Sequence, residues 1–131
     1  MSSPIVHAKY SVRKYGGKPE DYIDIHNLMD SSKATIADDR HRALTHNAWF
    51  IGTILEKVFG TTRTNSDGKV YSVRDIGEEH VLEDFGNRFI PSAQDYLCEI
   101  QNQEWMISGK GKPPSCAKLN HKKQQIIKFA D

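Results

Sequence analysis

Two nine-residue stretches carry most of the residues in this chain that can do chemistry. The first is Asp38-Asp39-Arg40-His41-Arg42-Ala43-Leu44-Thr45-His46, and the second is Ile76-Gly77-Glu78-Glu79-His80-Val81-Leu82-Glu83-Asp84. Three of the six histidines stand here among six carboxylates and two arginines. Imidazole nitrogen and carboxylate oxygen are the donors that bind zinc-class ions, and the groups that move protons near neutral pH. The candidate metal ligands are therefore His41, His46, His80 and Asp84, with His26, Asp39, Arg42 and Glu79 as supporting residues.

Spacing ties these residues to faces. On a helix, residues seven apart lie about 20° from each other, so Asp39 and His46 share a face with Arg42 between them. His41 falls on the expected core stripe beneath Leu44 and Ala48, where a buried imidazole must hydrogen-bond or bind something. His80 and Asp84 form an i, i+4 pair able to bond each other or to hold one ion together. His26, beside Tyr22 and Met29, faces the same interior. Carboxylates drawn between helices need cations, so Arg40 or Arg42 is expected to pair with Glu79, Glu83 or Asp84.

The residues alone rank a buried His/Asp/Arg hydrogen-bond network first, a bound divalent metal such as zinc second, and unrelated surface residues third. No HExxH pattern or His-Asp doublet is present. Ser108-Gly109-Lys110-Gly111-Lys112 is too short for a phosphate-binding P-loop, and neither Cys98 nor Cys116 has the context of an activated thiolate.

The elements that must position these groups read as mainly helical. The segment with Tyr10, Arg13, Lys14 and Tyr15 reads as an irregular basic arm. Pro19 opens a first helix carrying Tyr22, Ile25 and Met29, with Glu20 and Asp21 favourable at its N-terminus. A long central helix is expected over about 33–59, with Ala37, Leu44, Ala48, Ile51, Leu55 and Val58 as its stripe and Gly60 closing it. Asn65-Ser66-Asp67-Gly68 predicts a β-hairpin over about 61–73. Asp75 and Glu78 read as a capping box for a short helix ended by Gly86, and Ser92 with Asp95 as a start signal for another. The expected fold is mainly α, four to five helices around the long one with a single hairpin. Residues 1–108 form one domain, and 109–131 a basic linker and tail.

The 131 residues are enough for one core, and 37% apolar with 27% charged residues describe an ordinary soluble domain. The net charge of +1 hides a tail of +5 on a body of −4. Lys118, Lys122, Lys123 and Lys128 are thus candidates for contacting nucleic acid or a partner. No apolar run approaches the roughly 18 residues of a membrane span. With two unpaired cysteine positions and no secretory leader, a cytoplasmic location in a bacterial host is expected.

The order and spacing of Asp39-Arg40-His41-Arg42-Ala43-Leu44, His46, Asn65-Ser66-Asp67-Gly68, Val73 to Val81, Glu83-Asp84 and Ile90-Pro91-Ser92 resemble a family of small bacterial and tailed-phage proteins described only as a domain of unknown function. The likeness covers about residues 5–106 and implies no activity. A fainter likeness is to HD-domain phosphohydrolases through Asp75-Ile76-Gly77-Glu78, although position 74 is Arg where their doublet has His. The functional expectation is a phage-related accessory or interaction protein with a structural histidine cluster, working with a protein partner or as a homo-oligomer. The alternatives are a metal-dependent hydrolase or metal-binding protein, and a nucleic-acid-associated protein using the tail.

Overall fold

The computed structural model describes residues 3–120. It is mainly helical, with one two-stranded antiparallel hairpin. Helix α1 spans Pro4–Tyr15, with Pro4 in the first turn, where its missing N–H leaves no helical bond unmade. This corrects the reading of that stretch as an irregular arm. The face α1 buries is His7, Ala8 and Ser11, which has almost no apolar periodicity to detect.

A 3₁₀ turn over Pro19–Asp21 leads into α2, Ile23–Met29, and Tyr22, Ile25, His26 and Met29 are buried. The long helix expected over 33–59 is instead a series of short pieces. A 3₁₀ turn at Ser31–Ala34 is followed by a second at Asp39–His41, then α3, Arg42–Thr45, a π-helical stretch at Phe50–Leu55, and α4, Glu56–Phe59. Two side chains reset the chain. Asp38 accepts a hydrogen bond from the Arg40 amide, and Asn47 Oδ1 accepts one from the Phe50 amide at 2.8 Å, so each acts as a cap inside a helical-looking pattern. The resets shift the phase of the stripe. Leu44 and Val58 are more than half exposed, while Ile51 and Leu55 remain in the core.

Strands β1, Thr62–Thr64, and β2, Val70–Ser72, pair with Arg63 opposite Tyr71. Asn65 closes the turn by accepting from the amides of Asp67 and Lys69, and its Nδ2 donates to the Tyr15 carbonyl at the end of α1. Helix α5, Val73–Asp84, starts at Ser72, whose Oγ accepts from the Asp75 amide. Asp75 is therefore the third residue of the helix and not the cap. Gly77 is needed where α5 crosses the π-helical segment. A Cβ there would stand 2.5 Å from Leu55 Cδ2 and 3.1 Å from Ile51 Cγ2. Helix α6, Ala93–Leu97, begins with the expected Ser92/Asp95 capping box.

The core joins Ala8 of α1, Ile25 and Met29 of α2, Phe50, Ile51 and Leu55, Tyr71 of the hairpin, and Val73, Ile76 and Val81 of α5. The described residues fall into two compact units, divided between Glu99 and Ile100. The second unit contains α7, Glu104–Ser108. Lys118 is exposed; Lys122, Lys123 and Lys128 lie outside the described residues. Among the described residues, no helix is long and apolar enough to cross a membrane.

Candidate metal centre

All five histidines among the described residues, His7, His26, His41, His46 and His80, are fully buried. Free imidazole is amphipathic, so a buried group of this size must satisfy its ring nitrogens internally. The short elements do the positioning. α2 carries His26, and Asp30 caps its C-terminus; His46 follows the last residue of α3; α5 carries His80 and Asp84 one turn apart. α1 contributes His7 from its buried face.

Four of these side chains converge. Asp30, His46, His80 and Asp84 each offer a ligand atom, all within 4.8 Å of one another. Nε2 of His46 lies 2.9 Å from Asp84 Oδ2 and 3.7 Å from Asp30 Oδ1. Nε2 of His80 lies 3.2 Å from Asp30 Oδ1 and 3.6 Å from Asp84 Oδ2. Ligands at the corners of a tetrahedron with bonds of 2.0–2.2 Å stand about 3.4 Å apart, and these four nitrogen–oxygen edges bracket that value. The Asp30 side chain is 4% exposed and that of Asp84 2%.

The flanking contacts orient the group. His46 Nδ1 is 2.8 Å from Thr45 Oγ1, and that hydroxyl donates to the Met29 carbonyl at 2.6 Å. With its proton committed, Thr45 accepts from His46 Nδ1–H, so the His46 Nε2 position, 2.9 Å from Asp84 Oδ2, must hold either a proton donated to that carboxylate or a cation shared with it. His7 Nδ1 lies 2.7 Å from Glu83 Oε1, and its Nε2 approaches the second oxygen of Asp84 at 3.3 Å without a hydrogen bond of good geometry. The His7 ring stacks on His80 with centroids 3.8 Å apart. Glu83 reaches outward, 21% exposed, into a surface cleft lined also by Tyr10, Lys14, Glu79 and Asn87.

Burial and charge act in opposite directions on these groups. Burial pushes His80 down to about 4, partly opposed by Asp30, and pushes His26 down to about 2 with help from the neighbouring histidines His80 and His7. Burial would also lower His7, but the carboxylates of Asp84 and Glu83 outweigh it and raise it to about 9. Asp84 and Asp30 would be raised by burial and are instead held below the ordinary carboxylate range, Asp84 by His46 and His7 and Asp30 by His80.

Of the residues singled out from sequence, His46, His80 and Asp84 come together, and His26 touches them through His80. His41 lies outside the four-ligand group; its Nδ1 meets Ser32 Oγ at 2.8 Å, and its ring stands edge-on to His46 at 5.2 Å. Asp39 is exposed. The expected arginine pairing is corrected. Arg40 bonds its neighbour Asp38 at the surface, and the Arg42 guanidinium lies over the Phe85 ring at 5.1 Å. The carboxylates find their partners elsewhere because α1 supplies them: Lys14 and Tyr15 bond Glu79, and His7 bonds Glu83.

Sequence reasoning missed Asp30, His7, Ser11 and Thr45 as participants, and it gave Glu83 an arginine partner where the structure gives it His7. One signal for Asp30 was present. His26-Asn27-Leu28-Met29-Asp30 repeats the His-x-x-x-Asp spacing of His80 to Asp84. His7 had no comparable signal, since its helix was not apparent.

The fold and the cluster together define a small mainly helical domain with a two-stranded hairpin, built around a buried histidine–carboxylate centre. Residues 2–106 match the family described as Domain of unknown function (DUF6915), and the chain belongs to that family. No curated protein and no solved structure matches the chain.

Proposed function

We propose that this protein binds one divalent cation of the zinc class through His46 Nε2, His80 Nε2, Asp30 and Asp84. The observation that carries the reading is that two imidazole nitrogens and two carboxylate oxygens, brought from three separate elements into one buried volume, lie within 4.8 Å of one another, with nitrogen–oxygen separations of 2.9 to 3.7 Å. Two buried carboxylates carry two negative charges, and a divalent ion neutralises both while using the histidines in their neutral form. The donor set of nitrogen and oxygen suits zinc and its first-row neighbours better than calcium or magnesium. With all four ligands enclosed, the ion cross-links α2, α5 and the end of α3 and supports the fold, as closed zinc sites do.

A second reading has its own support. Glu83 and Asp84 flank His7 and favour its charged form, and Lys33 Nζ lies 3.4 Å from Asp30 Oδ2, so a proton and a lysine would supply counter-charge for a purely structural network in an interaction protein. Titrating the chelator-treated full chain with zinc and with cobalt(II) separates the two. The metal reading expects one ion per chain, a tetrahedral cobalt absorption band and a higher melting temperature. Absence of binding with unchanged melting overturns it and leaves the network.

A further inference from the structure

The His80 ring touches something unusual on its far side. Its Nδ1 lies 2.8 Å from His26 Nδ1, and His26 Nε2 lies 2.9 Å from Ser11 Oγ. His26 and His80 are fully buried and Ser11 nearly so. A neutral imidazole has one N–H and one lone pair, so two rings meeting nitrogen to nitrogen must hold opposite tautomers with respect to that contact. The three residues form a chain that can run in one of two directions.

In one direction Ser11 donates to His26 Nε2, His26 Nδ1–H donates to His80 Nδ1, and His80 Nε2–H donates to Asp30. In the other, Ser11 donates to the His7 carbonyl, 3.2 Å away, and accepts from His26 Nε2–H. His26 Nδ1 then accepts from His80 Nδ1–H, and the His80 Nε2 lone pair faces Asp30 and Asp84. A lone pair aimed at two carboxylates is repelled unless a cation lies between them. Each ring keeps one proton in both arrangements, so changing direction alters no net charge.

We infer that His26, anchored by Ser11, is the positioning residue of the centre: it accepts a hydrogen bond from His80 Nδ1–H and so presents His80 to the metal through Nε2, and metal capture sets the chain in that direction. The inference rests on the metal reading above. It gives a role to a buried histidine that contributes no ligand to the four-membered group, and it parallels the Thr45 hydroxyl behind His46. Partners of this kind behind a ligating histidine are worth 10–100-fold in metal affinity. Ser11 suits its end of the chain because a hydroxyl can donate or accept.

Nitrogen-15 NMR of the full chain, chelator-treated and then zinc-loaded, tests this without mutation. The loaded protein should show His80 protonated at Nδ1 with Nε2 on zinc, and His26 protonated at Nε2. Zinc affinity of two variants gives the second arm. His26→Leu removes the acceptor and should weaken binding about 10–100-fold. His26→Asn places an amide oxygen near the Nδ1 position and should recover most of that loss. If His80 binds zinc through Nδ1, or His26→Leu binds zinc as the unaltered chain does, the inference fails while the metal reading stands. If the unaltered chain takes up no zinc, both fail.

Discussion

His46 Nε2 and Asp84 Oδ2 stand 2.9 Å apart although 38 residues separate them in the chain. The first leaves the end of α3 just as the helix breaks, and the second occupies the last turn of α5. Asp84 is also approached by His7 and His80, so a single carboxylate is shared by three imidazoles from three elements.

That sharing makes Asp84 the most sensitive position in the cluster. Asp84→Asn keeps the shape but removes the charge that balances these rings, and breaking a buried charged network in this way costs roughly 3–5 kcal/mol. Urea unfolding of the variant should show a loss of that order, and zinc should no longer shift its midpoint. A loss below about 1 kcal/mol would indicate that the carboxylate is solvated in solution.

The metal-free protein should be most stable near pH 6.5. His26 and His80 are depressed below their ordinary value, so from about pH 6.5 downward the unfolded chain takes up protons that the folded chain refuses, and stability falls. His7 is raised, so its contribution is complete below about 6.5 and is lost as pH rises through about 9. Asp30 and Asp84, both lowered, add a further loss as the pH drops into and below the ordinary carboxylate range. Denaturant midpoints measured with chelator from pH 4 to 10 should trace this dome; a steady climb to pH 9 would contradict the assignment for His7.

Gly77→Ala should destabilise the fold despite improving helix propensity. Alanine in place of glycine inside a helix gains about 1 kcal/mol, whereas forcing a methyl into a filled core costs about 1–3 kcal/mol. At 2.5 Å from Leu55 Cδ2 the clash decides the sign. Thermal denaturation should show a lower midpoint, with the number of bound zinc ions unchanged.

Thr45→Val should weaken zinc binding about 10-fold or more, because it removes the hydroxyl behind His46 while keeping the branched shape. Arg40→Ala should do almost nothing. Its ion pair with Asp38 is exposed, and solvent and salt screen such pairs until they contribute little. Calorimetric zinc titrations of the two variants side by side check both outcomes, and equal affinities would remove Thr45 from the centre.

The local code in the sequence determined a good part of this protein. Asn65 to Gly68 specified the hairpin turn, Ser92 and Asp95 the start of α6, and the i, i+4 spacing of His80 and Asp84 their common face, because each depends only on residues within a turn of one another. Tertiary structure decided the rest. Asp38 and Asn47 carry cap chemistry, yet helical periodicity runs through both, and only packing of Ile51 and Leu55 against Gly77 selects the broken, re-phased path over one long helix. His41 meets Ser32 and stays outside the four converging side chains, while Asp30, at the end of α2, joins them. α1 stayed hidden because the face it buries is His7, Ala8 and Ser11. His7 and Ser11 are buried for the partners they find on α5 and α2, a reason that no hydrophobic pattern records.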